Sequence, residues 1–195
     1  PPAVKNMWQY KITFLAPEGS EIEKAKPVVR FDASQLNQKL AIKMSELKTT
    51  QKTLENTQLT NTAKLEKQKL DFAEFEMKKE KNQRKWEQSK GLKSNLDSEK
   101  LKLEYLVALN DSKRLKRTLS KTIESNQVKL AIAKNNVERL QADVKDMQLG
   151  IQRMTILSPK SGIVIYKPDY QGEKVSSGDS VYMGRQIIGL PSLDS

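Results

Sequence analysis

The side chains in this chain that could do chemistry are mostly lysines, and they gather in two places that suggest two different chemistries. Lys24 stands in Glu23-Lys24-Ala25-Lys26, a charged stretch of the kind from which a swinging-arm lysine carries an acyl or biotinyl group. Lys113, Arg114, Lys116, Arg117 and Lys121 form the densest basic cluster, with only Asp111 beside them. Clustered cations attract phosphates. A nucleic-acid surface, however, also interleaves stacking aromatics or a reading motif, and neither is present here. Nucleic acid is therefore not an expected partner, and the cluster reads as exposed coiled-coil charge, facing solvent or acidic residues of a neighbouring copy. The chain has no Cys and no His. That excludes disulfides, thiolate and imidazole metal sites, and catalysis by either side chain. No phosphate loop, Ser/His/Asp set or paired acids at a credible pocket can be found, so neither enzymatic activity nor a cofactor is expected.

The composition limits the elements available. Of 195 residues, 35 are Lys or Arg and 24 Asp or Glu, a formal charge of +11, and only 36% are hydrophobic. One thick core is not expected from so low an apolar fraction. No apolar run approaches the roughly 18 residues of a membrane span. The chain opens on Pro1-Pro2 rather than Met, which suggests a processed or cut piece of a longer protein.

Proline and glycine divide what remains. The seven Pro lie at 1, 2, 17, 27, 159, 168 and 191, and between Pro27 and Pro159 only Gly91 and Gly150 interrupt. Helix interiors exclude both residue types, Pro for its missing amide and Gly for its backbone entropy. A helical middle is therefore expected between two turn-rich ends. The first helix starts near Asp32 or Ser34, both good N-caps. Its seam runs through Leu40, Met44, Leu47, Leu54, Leu65, Phe72 and Phe75, with Gln51, Gln58, Asn61 and Gln68 between. The second seam runs through Leu101, Tyr105, Ala108, Leu115 and Leu119, slips phase near Thr122-Ile123, and continues through Leu130, Ala133, Val137, Leu140, Val144, Met147 and Ile151. Alternating steps of three and four mark a coiled coil. Between the arms, Gly91 suits the residue after a helix C-terminus, and Ser94 with Asp97 suits an N-cap with an acid three residues on. A turn near 90–94 pairs residue i with about 185 − i, which sets apolar layers against apolar ones and Asn61 level with Asn126.

The ends alternate with strand period in Trp8–Phe14 and Val28–Phe31. They also repeat each other: Gly19, Ile22, Ala25 and Val28 recur without gaps as Gly172, Val175, Gly178 and Val181. Two short β segments unable to bury a face alone can complete one small sandwich. The segment from Glu18 to Asp32 resembles the first half of a lipoyl/biotinyl-type domain. Ile156-Leu157-Ser158-Pro159-Lys160-Ser161-Gly162-Ile163-Val164 with Gly172-Glu173-Lys174-Val175-Ser176-Ser177-Gly178-Asp179 resembles the second. Such a domain split by a long α-hairpin resembles membrane fusion proteins of the HlyD type, the periplasmic adaptors. The resulting expectation is an α+β chain: a long antiparallel α-helical coiled-coil hairpin over 33–153, inserted in a split lipoyl/biotinyl-like β-sandwich with halves at 8–32 and 154–190.

The resemblance implies a non-enzymatic periplasmic adaptor that links an inner-membrane transporter to a TolC-type outer-membrane channel for export of drugs, metals or proteins. It implies a homo-oligomeric ring, of six copies or three dimers, and an inner-membrane anchor in the full-length protein. It also places partner contact at the hairpin tip, with Arg84, Trp86, Gly91, Leu92 and Ser94 as candidates. Many adaptors carry an Arg, a Leu four residues on and a Ser eleven residues on. Here Gln83 and Glu87 fill the first two places and only Ser94 fits. Ser94 has a cap as its alternative role, and Trp86 a place in the seam. A carrier role for Lys24 does not fit, because the modified lysine would follow the Val28–Phe31 strand, where Asp32-Ala33-Ser34 stands instead. The readings that compete are a coiled-coil scaffold or nucleic-acid binder, and an acyl- or biotin-carrier subunit.

Overall fold

The computed structural model describes residues 1–2, 4, 7–91 and 94–191. The chain forms two units. One is a base of Pro1–Leu47 with Arg139–Ser195, and the other is a stalk of Lys48–Glu138. Three strands precede the helices: β1 (Gln9–Leu15), β2 (Glu21–Ile22) and β3 (Pro27–Phe31). Helices α1 (Ser34–Ser89) and α2 (Asn95–Arg153) follow, then β4 (Thr155–Leu157), β5 (Gly162–Ile163), β6 (Ile165–Tyr166), β7 (Ser180–Tyr182) and β8 (Ile188–Gly189). This is the expected α+β architecture, with the helical hairpin inserted in a split β unit.

In the base, strands from the two chain ends interleave. The main sheet has the order β4-β3-β1-β7, and small ribbons pair β2 with β5 and β6 with β8. Tyr10 pairs Val181, Val29 pairs Ile156 and Ile22 pairs Gly162, all antiparallel. The inward positions of β1 and β3 carry Tyr10, Ile12, Val28, Val29 and Phe31, which bury with Met154, Val175, Val181 and Ile187 from the second half. Ile22 packs against the same core. The internal repeat is visible in the backbone. Gly19 and Gly172 both have positive φ, and so do Ala25 (65°) and Gly178 (101°). Each of these second turns docks on the other half. The Ala25 amide donates to Ser158 O and the Ser158 amide to Lys26 O, while the Gly178 amide donates to Ile12 O and the Ile12 amide to Asp179 O. Helix α1 starts where the Asp32 carboxylate accepts from the Ser34 amide at 2.8 Å. Hydrogen bonds from Ser34, first from its side chain and then from its amide, hold the Asp32 carboxyl below its ordinary range.

In the stalk, the half-buried positions trace the seam. On α1 it passes through Thr50, Leu54, Thr57, Asn61, Leu65, Gln68, Phe72, Phe75, Lys79, Asn82, Trp86 and Ser89. The sequence reading had Gln51 and Gln58 in this seam, and Thr50 and Thr57 hold those places. In the base, Lys43 likewise replaces the expected Met44, which is half exposed, because the lysine stem covers apolar surface while its Nζ reaches Glu46 at 2.7 Å. On α2 the seam passes through Ser98, Leu101, Tyr105, Ala108, Ser112, Leu115, Leu119, Thr122, Asn126, Leu130, Ala133 and Val137. The steps alternate three and four except at Thr57-Asn61-Leu65 and Thr122-Asn126-Leu130, where two fours follow one another. Such a stutter locally unwinds the supercoil. Because both helices stutter at the same level, their seams stay face to face.

The pairing is offset from the expected register. Asn82 donates to Glu104 O, Ser89 meets Ser98 and Ser112 donates to Glu76, so residue i lies level with about 187 − i rather than 185 − i. Helical side chains lean toward their own N-terminus by about one position. In an antiparallel pair the two leans add, which accounts for the two residues.

The candidate partner-binding tip of the hairpin

Helix α1 has no proline to stop it. It ends at Ser89 because Gly91 takes φ +80°, which other residues rarely adopt. The Ser89 hydroxyl, buried at this end of the seam, donates to Trp86 O at 2.7 Å and lies 3.1 Å from Ser98 Oγ. Helix α2 restarts on a cap. The Asp97 amide donates to Ser94 Oγ at 3.2 Å, and the Ser94 hydroxyl donates to Asp97 Oδ2 at 2.8 Å. Losing a cap of this kind costs about 1 kcal/mol.

Trp86 occupies the seam position its spacing gives it. Its ring stacks on Tyr105 with centroids 5.5 Å apart, and Lys90 Nζ lies 4.2 Å from the ring centroid. Gln83 and Glu87, which stand where many adaptors carry Arg and Leu, hydrogen-bond each other at 3.0 Å. Arg84, Gly91 and Ser94 are exposed, and Leu92 lies outside the described residues. At the tip, Gly91 closes α1 and Ser94 caps α2, with Trp86 in the last turn of α1 and Arg84 on its exposed face. Sequence reasoning missed Leu96, the second residue of α2, which is 81% exposed. The signal was available: Leu96 falls two residues before the seam residue Ser98, so it points away from α1.

Further down, Glu76 is held below the usual carboxylate range first by the hydrogen bond from Lys79, then by that from Ser112. In the base, the Asp169 carboxyl is lowered by the amides of Glu173 and Gln171, with Arg185 at 3.3 Å adding its charge. Both carboxylates order their neighbours. Lys24 sits exposed in a turn, its amide bonded to Ser161 Oγ at 3.2 Å. Among the described residues no cluster of three or more acids could hold a metal ion. No helix there is long and apolar enough to cross a membrane.

No protein-family model matches the chain, and no curated protein does. Solved structures do. MacA from Actinobacillus actinomycetemcomitans superposes with a TM-score of 0.57 at 17% identity, over 95% of this chain and 47% of MacA. The periplasmic adaptor protein EmrA matches with a TM-score of 0.47 at 16% identity, over 95% of this chain and 69% of its own. The soluble domain of LipC, a membrane fusion protein of a type I secretion system, gives 0.49 at 9% identity, over 98% of this chain and 99% of its own. At 17% identity the MacA match is a likeness of fold: the chain has the hairpin-and-base fold found in such proteins and spans about half of MacA.

Proposed function

We propose that this chain is the hairpin-and-base part of a periplasmic adaptor, joining an inner-membrane transporter to a TolC-type outer-membrane channel for export of drugs, metals or proteins. The observation that carries the reading is the interleaving of the two chain ends into one β unit, Tyr10 against Val181 and Val29 against Ile156. This closes a base around the root of a two-helix excursion. A closed base with a stalk supports a linking role, because a coiled coil with a packed seam spans distance stiffly. The base then holds the assembly near the inner membrane, to which the full-length protein is anchored. The tip, with Arg84, Trp86, Gly91 and Ser94, meets the outer channel.

Mild crosslinking of the full-length protein in its own envelope, followed by affinity purification, tests the reading. A transporter and an outer-membrane channel should co-purify in comparable amounts, and recovery of neither sinks it. The tip is tested separately by a photo-reactive side chain at Leu96, which is exposed and outside the cap. Its crosslink to the channel is the expected result.

A further inference from the structure

We propose that the stalk carries a hinge part-way along it, at the layer of Asn61 and Asn126, where its two helices part and bend while the layers toward the tip stay closed. The hinge follows from the chain's own packing. Only its use, letting the tip reach a partner across a gap of varying width, rests on the proposed function.

Seam residues that sum to 187 lie level, so Thr57 meets Leu130, Asn61 meets Asn126, Leu65 meets Thr122 and Gln68 meets Leu119. Each of these four consecutive layers holds a polar side chain, and the polar atoms are poorly met. Asn61 Nδ2 and Gln68 Oε1 are buried without a hydrogen-bond partner. The Thr57 hydroxyl donates within its own helix, to Thr53 O at 2.7 Å. Nearer the tip the polar groups cross the seam instead: Asn82 donates to Glu104 O, Ser112 donates to Glu76, and Ser89 meets Ser98. Burial divides the stalk in the same way. Ser89, Ala108 and Ser112 are fully buried. No seam residue is buried between Ser112 and Val137 on α2, or between Thr50 and Trp86 on α1.

The backbone is weakened at the same place. Within ten residues of α1, Thr53, Thr57, Thr60 and Thr62 donate their hydroxyls to the carbonyls of Thr49, Thr53, Asn56 and Gln58. A hydroxyl bonded four residues back competes with the helix's own bond and bends the helix. Both helices also stutter here, at Thr57-Asn61-Leu65 and Thr122-Asn126-Leu130, which unwinds the supercoil locally. Loose packing and unmet amides each ease local opening, and they fall on one level. Asn61 stands about 42 Å from the end of α1 at 1.5 Å per residue, so a bend of about 20° there moves the tip by about 14 Å.

Hydrogen exchange on the chain tests the hinge. Amides of 57–65 and 122–130 should exchange about tenfold faster than those of 72–80 and 107–115. Asn61→Leu with Asn126→Leu, which gives the layer an apolar pair, should remove most of that difference. The chain has no cysteine, so nitroxide labels can be placed in pairs. Leu59→Cys with Val128→Cys, and Met77→Cys with Asn110→Cys, are level pairs of exposed residues, each two residues from the seam. The distance distribution between labels should be broader for the first pair than for the second. Equal exchange at the two levels, equal widths, or a difference that the leucine pair leaves unchanged overturns the hinge. Co-purification of transporter and channel decides the adaptor reading separately and does not alter these results.

Discussion

Ala25 and Gly178 are the residues at which this fold's internal repeat can be weighed. They occupy equivalent turns, each with φ in the left-handed region and each donating its amide to a backbone carbonyl of the other half. A side chain at such a φ costs about 1–2 kcal/mol, and a Cβ at Gly178 would meet nothing within 4 Å. The penalty there is therefore conformational, not steric. Gly178→Ala should lower the stability of the base by about 1–2 kcal/mol, read as a reduced midpoint in denaturant unfolding. Ala25→Gly should cost nothing or stabilise slightly, because relief of the strained φ offsets the added chain entropy of glycine. An Ala25→Gly chain as destabilised as the Gly178→Ala chain would mean that the two turns are not equivalent. The repeat itself was visible as a constant spacing of glycines and aliphatics. That the third position needs positive φ was not visible, because the alanine in the first copy hides it.

The stalk helices owe their existence to the absence of proline, and their register to polar layers. Asn61 sits at the centre of the α1 stutter, level with Asn126 at the centre of the α2 stutter, and its Nδ2 is buried without a hydrogen-bond partner. A buried amide left unpaired costs about 1–3 kcal/mol, so this layer supplies specificity at the expense of stability. Asn61→Leu together with Asn126→Leu should raise the melting temperature of the chain, measured by circular dichroism at 222 nm, while loosening the register. A lower melting temperature would show that the amides are satisfied and stabilising. Sequence periodicity identified the seam and its slip near Thr122, but it misplaced Met44, Gln51 and Gln58. The pattern of steps alone does not decide between adjacent residues when a Lys stem or a Thr methyl can cover apolar surface as well as a nearby Met or Gln.

For the molecule as a whole, neither β segment is a folding unit. The core pairs Tyr10, Ile12 and Val28 from one end with Met154, Val175 and Val181 from the other, and each such side chain contributes about 1.5–3 kcal/mol on full burial. Deleting residues 154–191 should therefore unfold β1–β3, seen as loss of amide protection in β1 and β3 by hydrogen exchange. Protected amides in those strands of the shortened chain would show that the first half stands alone. The same interdependence makes the base a clasp, holding the two ends of the helical excursion together at its root.

The sequence by itself determined the order of elements, the turn at Gly91, the cap at Ser94 and the kinship of the two ends. These are written in local chemistry: backbone freedom, a capping hydroxyl, the period of apolar residues. Tertiary structure alone decided which strand lies beside which, that the helices pair near 187 − i, and that Trp86 stacks on Tyr105. A linear pattern holds the period of a helix but not the small displacements that set its partner's register.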